Sequence, residues 1–188
     1  MMDLFANFWE YLPTGLIVFF VMFVISRLSK ASLQTVSPDA HGQFHLRRPR
    51  ILFVGGILAV GVSLMVGVLI GIMLGIGPEM LFLSALYLAI SIWGWTLIRS
   101  YRNSTLQFNS EVFSYQNARG YSEEMAWKDV QKVSYNRFLG HLEMSTANES
   151  LSFPTSFEGF GSFLEMMEAQ TSFMRGDIGL PVLFVSKT

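Results

Sequence analysis

Residues 51–76, ILFVGGILAVGVSLMVGVLIGIMLGI, decide how this chain is read. The run holds no charged residue. As a helix rising about 1.5 Å per residue, it outreaches the roughly 30 Å hydrocarbon core of a bilayer. A soluble helix needs only one apolar face, whereas this segment is apolar on all of them, which predicts a transmembrane span. Within it Gly55, Ala59, Ser63, Gly67, Gly71 and Gly75 recur at every fourth place. Each step of four advances about 400° around a helix, so the six line a slowly winding groove in which a second backbone can lie close. Two occupants fit that stripe: the next helix of the same chain, or a second copy of it.

The flanks of this run set an expected topology. Before it, residues 27–50 read as a polar connection, with Arg27, Lys30, Arg47, Arg48 and Arg50 set against Asp39 alone. Ser37, Pro38, Asp39 and Gly42 mark the connection as turn-rich. An earlier apolar segment, residues 5–26, has Trp9 and Tyr11 placed for an interface and Pro13 in the first turn of its apolar run. It lacks the basic start of a signal peptide and is expected to remain as a first span. After residue 76, Gly77, Pro78 and Glu79 form a tight turn into residues 80–98, a third span antiparallel to the second. Ser84, Ala85, Ala89, Ser91 and Gly94 are placed there to meet the small-residue groove.

Trp93, Trp95 and Tyr101 then form an aromatic belt, followed by Arg99 and Arg102. The basic residues fall in the 27–50 connection and after the third span, while Asp3, Glu10 and Glu79 mark the other side. The positive-inside rule then puts the N-terminus outside and everything after Arg99 in the cytoplasm. Arg47, Arg48, Arg50, Arg99 and Arg102 are the expected contacts to anionic lipid headgroups, or serve as topology determinants without a specific ligand.

Composition agrees with a membrane region plus one small polar domain. Charged residues make up 14% of the chain, against about 25% in ordinary soluble domains. The net charge of -1 points to no partner. Cysteine is absent, which excludes disulfides, thiolate metal sites and a thiol nucleophile.

From residue 104 the period changes. Residues 105–108 and 112–115 alternate apolar and polar around Asn109 and Ser110, the pattern of a hairpin. Residues 117–120 mark a turn, residues 125–127 and 130–135 give further strand signals, and residues 142–145 and 151–153 flank Asn148 and Glu149 as a second hairpin. Past Pro154 the period becomes helical, with Phe157, Phe160, Phe163, Leu164 and Met167 on one face. Thr155 or Ser156 is the expected cap, and Glu158 falls in the first turn. The reading is a small α+β domain over residues 103–174, an antiparallel sheet covered by one C-terminal helix. A tail, residues 175–188, either adds a strand to a sheet edge or stays flexible.

The strand pair, the stretch MAWKDVQKVSY (125–135), the hairpin LEMSTANESLSFP (142–154) and a closing helix, all behind membrane spans, resemble the bacterial PH-like domains of small membrane proteins. Trp127, Asp129 and Val130 match the family's entry into a strand, and Phe153 with Pro154 matches the end of its later hairpin. The resemblance covers residues 105–170. It implies an antiparallel PH-like sheet or barrel capped by one C-terminal helix; with the three transmembrane helices and the orientation read above, the expectation is such a domain on the inner face of a bacterial cytoplasmic membrane.

Signals for chemistry are sparse. His41 and His45 lie four apart near Asp39, but the glycine and turn residues there disfavour a helical metal site. His141 stands alone at a strand start. Glu123 and Glu124 read as solvated, while Arg119, Lys128, Lys132 and Arg137 are candidates for a basic patch. No phosphate loop, HExxH or nucleophile elbow occurs, and apart from Glu10, placed near the outer surface in the first span, the spans contain no Asp, Glu, Lys, Arg or His to mark an ion path. The expectation is therefore a non-enzymatic integral membrane protein without cofactor, metal or nucleic-acid partner. Its domain would bind a protein partner or copies of itself, or sense anionic lipid, or serve as an accessory subunit of a larger membrane complex.

Overall fold

The computed structural model describes residues 26, 30–74, 78–181 and 184. The expected first span, 5–26, lies outside the described residues apart from Ser26. Two long helices, α1 (Arg50–Leu74) and α2 (Pro78–Asn103), pack against each other as a helical hairpin. Among the described residues, one helix is long and apolar enough to cross a membrane, through Arg50–Leu69. The expectation of three transmembrane helices is corrected accordingly. From Ser84, where the side chains of α2 are first described, Ser91, Trp93, Trp95, Thr96, Arg99 and Arg102 leave that helix short of the same apolar length.

Among the described residues seven strands follow the order β1 (Phe44–Arg47), β2 (Thr105–Phe108), β3 (Val112–Gln116), β4 (Ser122–Ala126), β5 (Lys132–Asn136), β6 (His141–Ser145) and β7 (Ser150–Pro154). They form two antiparallel sheets, β1-β2-β3-β4 and β5-β6-β7. The PH-like barrel is therefore corrected to two separate small sheets, with no ladder between them among the described residues. Trp127 is the physical reason for the break. It opens a 3₁₀ turn, Trp127–Asp129, immediately after β4, and its ring is buried in the core. Its indole Nε1–H donates to the Asn109 carbonyl at 2.8 Å. The chain leaves the first sheet there before starting the second.

β1 comes from the stretch expected to be a loop. It pairs with β2 from Phe44↔Phe108 to Arg47↔Thr105, so the helical hairpin is inserted between two neighbouring strands. Residues 103–174 do not build the sheets alone. Phe44 and Leu46 turn inward while His45 and Arg47 remain exposed, the alternation a half-buried strand requires.

α3 (Phe160–Gln170) covers the sheets with Phe160, Phe163, Leu164 and Met167, all fully buried. Phe163 meets the rings of Phe108, Phe113, Trp127, Phe153 and Phe160. The helix starts later than expected, after Gly159 in the left-handed region (φ 77°) and without a side-chain cap. A Cβ at Gly159 would lie 2.2 Å from Val36 Cγ2, so glycine is required both for the turn and for the approach of residues 30–36. The tail neither adds a strand nor hangs free where it is described: Ile178, Leu180 and Phe184 join the core. Arg175 fastens it to α3, its Nε and Nη2 donating to the two Glu168 carboxylate oxygens at 2.9 and 2.6 Å.

Candidate functional site

The small-residue groove of α1 is occupied by α2 of the same chain at Ala59, Ser63 and Gly67, with Gly56 rather than Gly55 at the close approach. A Cβ on Gly56 would lie 2.6 Å from Ile98 Cγ1 and 2.7 Å from the Gly94 carbonyl oxygen, and one on Gly94 would lie 3.0 Å from Ala59 Cβ. Ser63 Oγ and Ser91 Oγ are 2.6 Å apart, and Gly67 faces the Tyr87 ring. Ala59, Ser63 and Gly67 thus lie at the crossing, whereas Gly55 has open space beside it. The surroundings of Gly71 and all of residue 75 lie outside what is described.

The five arginines separate. Arg47, Arg50, Arg99 and Arg102 are exposed around the base of the hairpin. Arg48 is folded inward: its Nη1 donates to Ser156 Oγ, its Nη2 to Ser100 Oγ at 3.3 Å, and its guanidinium lies 5.1 Å from the centre of the Phe157 ring. The Nε–H is buried without an acceptor among the described residues, and burial holds the guanidinium below its ordinary pKa. Ser100 and Ser104 hydroxyls lie 3.4 Å apart, and burial raises the Tyr115 phenol despite the nearby Arg48 charge. The cluster joins both hairpin ends to the sheets. Ser156, expected as a helix cap, serves it instead. Thr155 donates both its N–H and its hydroxyl to the Gly140 carbonyl, at 3.0 and 3.2 Å.

His41 and His45 do not form a metal pair. Asp39 accepts from the His41 and Gln43 N–H groups at 2.8 and 2.9 Å, and lies 3.3 Å from His45 Nε2. Those backbone donors, Gln43 first, hold the Asp39 carboxyl below its usual range, and the arrangement closes a turn. Among the described residues no group of three potential ligands comes together. His141 lies 3.3 Å from Ser152 Oγ through Nδ1.

An open concavity lies between the sheets. Among the described residues β4 pairs only with β3, and β7 only with β6, leaving their outer edges unpaired there. Between them is a groove of about 450 Å³ lined by Glu123, Glu124, Met125, Glu149, Ser150 and Leu151. A second hollow of about 440 Å³ shares Glu124, Met125 and Glu149 and continues past Lys128 and Asp129 to Thr146. Met125 and Leu151 form a buried apolar floor, and the glutamates are exposed walls. An unpaired edge offers backbone N–H and C=O groups to an extended chain, and the carboxylates favour a cationic one. Glu123 and Glu124 gain this meaning only through Glu149, which the two-sheet arrangement brings beside them.

No family model, no curated protein and no solved structure matches this chain.

Proposed function

We propose that the chain is a membrane-anchored, non-enzymatic binding module that receives an extended, basic segment of a partner protein in the groove between β4 and β7. The groove itself carries this reading: two strand edges unpaired among the described residues, an apolar floor and three glutamates. Main-chain pairing along an edge supplies affinity, and side-chain complementarity supplies selectivity. β4 sets the length of the docked segment at about five residues, its own span.

Anchoring is supported by what surrounds α1. Val54, Ile57, Leu58, Val62, Leu64, Met65, Val68, Leu69 and Ile72 are exposed, a surface far more apolar than a soluble protein presents to water. A core helix of a soluble protein would bury these side chains. Arg50, Arg99 and Arg102 crowd the end of the hairpin that carries the sheets. The positive-inside rule therefore assigns the sheet domain to the cytoplasmic face.

The test uses the full chain in lipid nanodiscs and a fluorescent alternating lysine–valine hexapeptide. The expected result is saturable binding, weakened at least tenfold, about 1.4 kcal/mol or more, by the triple change Glu123→Lys, Glu124→Lys, Glu149→Lys. Backbone N-methylation of the peptide at alternate positions, which removes edge hydrogen bonds and keeps the charge, is expected to weaken it as well. Equal binding by a glutamate–valine hexapeptide would rule the groove out.

A further inference from the structure

The geometry points to a second lipid contact besides the hairpin: the β5–β6 turn is an interfacial anchor whose Phe138 and Leu139 enter the bilayer surface beside α1. This rests on the membrane reading of α1 given above. Phe138 is 97% exposed and Leu139 60% exposed, next to the exposed Arg137. The turn is held firmly. Asn136 Oδ1 accepts from the Phe138 and Leu139 N–H groups at 3.1 and 3.2 Å, and Gly140 closes it at φ 67°. A turn so fixed displays its two apolar side chains outward rather than collapsing over them.

Its place in the fold identifies the occupant. The β5–β6 ladder ends at Asn136↔His141, and His141 pairs with Pro154. The next residue, Thr155, is bonded to Gly140, and Ser156 receives Arg48, two positions before α1 begins. The turn therefore lies at the hairpin end of the sheets. The β3–β4 turn lies there too, since the Ala118 carbonyl accepts from Arg99 Nε at 3.1 Å and Asn103 Nδ2 at 2.9 Å. It presents exposed Arg119 and Tyr121.

The opposite ends of the strands differ in character. There the β2–β3 turn carries Asn109, Ser110 and Glu111, and the β6–β7 turn carries Thr146, Asn148 and Glu149. The turns on the side where α1 enters lipid thus present arginine, tyrosine, phenylalanine and leucine, whereas the far side presents no large apolar side chain in its turns, only acids and small polar residues with the exposed Lys128 and Lys132 beside them. Aromatic residues and arginines at one level are the composition of a membrane interface, and the positive charge suits anionic headgroups.

The natural absence of cysteine allows single reporter sites in the full chain. Phe138→Cys, Leu64→Cys on α1 and Ala147→Cys at the far turn are each labelled with an environment-sensitive dye. The proteins are reconstituted in phosphatidylcholine–phosphatidylglycerol vesicles. Lipids brominated on the acyl chain are expected to quench positions 64 and 138, with blue-shifted emission at both, while aqueous iodide quenches position 147. Lipid quenching at 64 with iodide quenching at 138 overturns the anchor and leaves the membrane reading standing. Iodide quenching at 64 overturns the membrane reading, and the anchor with it. Lipid quenching at 147 as strong as at 138 overturns the proposed orientation.

Discussion

Because Phe44 and Leu46 face the core, the two-residue period of β1 carries Arg48 toward the same side, where it meets Phe157 rather than a lipid headgroup. This places a cation within reach of His141. Burial lowers the His141 pKa first, and the Arg48 charge lowers it further. A histidine held below its ordinary value of about 6.5 is neutral in the folded state while the unfolded chain still takes up a proton. Its contribution to stability is therefore complete above that value and is lost as pH falls toward the folded-state pKa. Thermal unfolding of the full chain in detergent is expected to show a midpoint that declines on acidification through this window. His141→Gln, which keeps a polar group near Ser152 and does not titrate, is expected to flatten that part of the profile. An unchanged slope in the variant would exclude His141 as its source.

At the scale of elements, the helical hairpin depends on two glycines that let backbones touch. Gly56 and Gly94 have no room for a Cβ, and the nearest atoms include the facing backbone, which cannot swing aside. Gly55, one position away, has nothing within 4 Å of its Cβ position. Paired substitutions Ser63→Cys and Ser91→Cys, at hydroxyls 2.6 Å apart, are expected to form an intramolecular disulfide on mild oxidation. Adding Gly56→Leu is expected to cut the yield several-fold by spreading the helices, whereas Gly55→Leu leaves it unchanged. Electrophoresis without reductant reads both outcomes, and a crosslinked dimer in place of a monomer would assign the groove to a second copy. The four-residue spacing of small side chains was legible in the sequence. The contact at Gly56 was not, because Gly55 continues the four-residue row and Gly56 does not, and only the crossing geometry brings Gly56 against Gly94.

For the whole molecule, what could be read in advance divides along the range of the interactions. β2 and β3 announce themselves by local alternation, and the buried face of α3 by its run of Phe160, Phe163, Leu164 and Met167. β1 was hidden because four residues, two of them polar, stand beside an arginine cluster and pair only with a strand beyond the entire hairpin. The groove was hidden for the same reason: Glu149 joins Glu123 and Glu124 through sheet arrangement, not through sequence proximity. This long-range pairing makes the helical hairpin an insertion into a β1–β2 connection. Arg47 and Thr105 are direct cross-strand partners, so a two-residue turn is geometrically able to join them. A chain of residues 30–47, Asn-Gly and residues 105–188 is expected to fold as a soluble domain, with dispersed amide NMR signals and a cooperative thermal transition. Residues 103–188 alone lack β1, leave the β2 edge open and lose Leu46, 1% exposed in the native core. That shorter chain is expected to aggregate or to show no cooperative transition. If it folded as well as the rejoined chain, β1 would be dispensable, and the sheet domain would owe nothing to the residues ahead of α1.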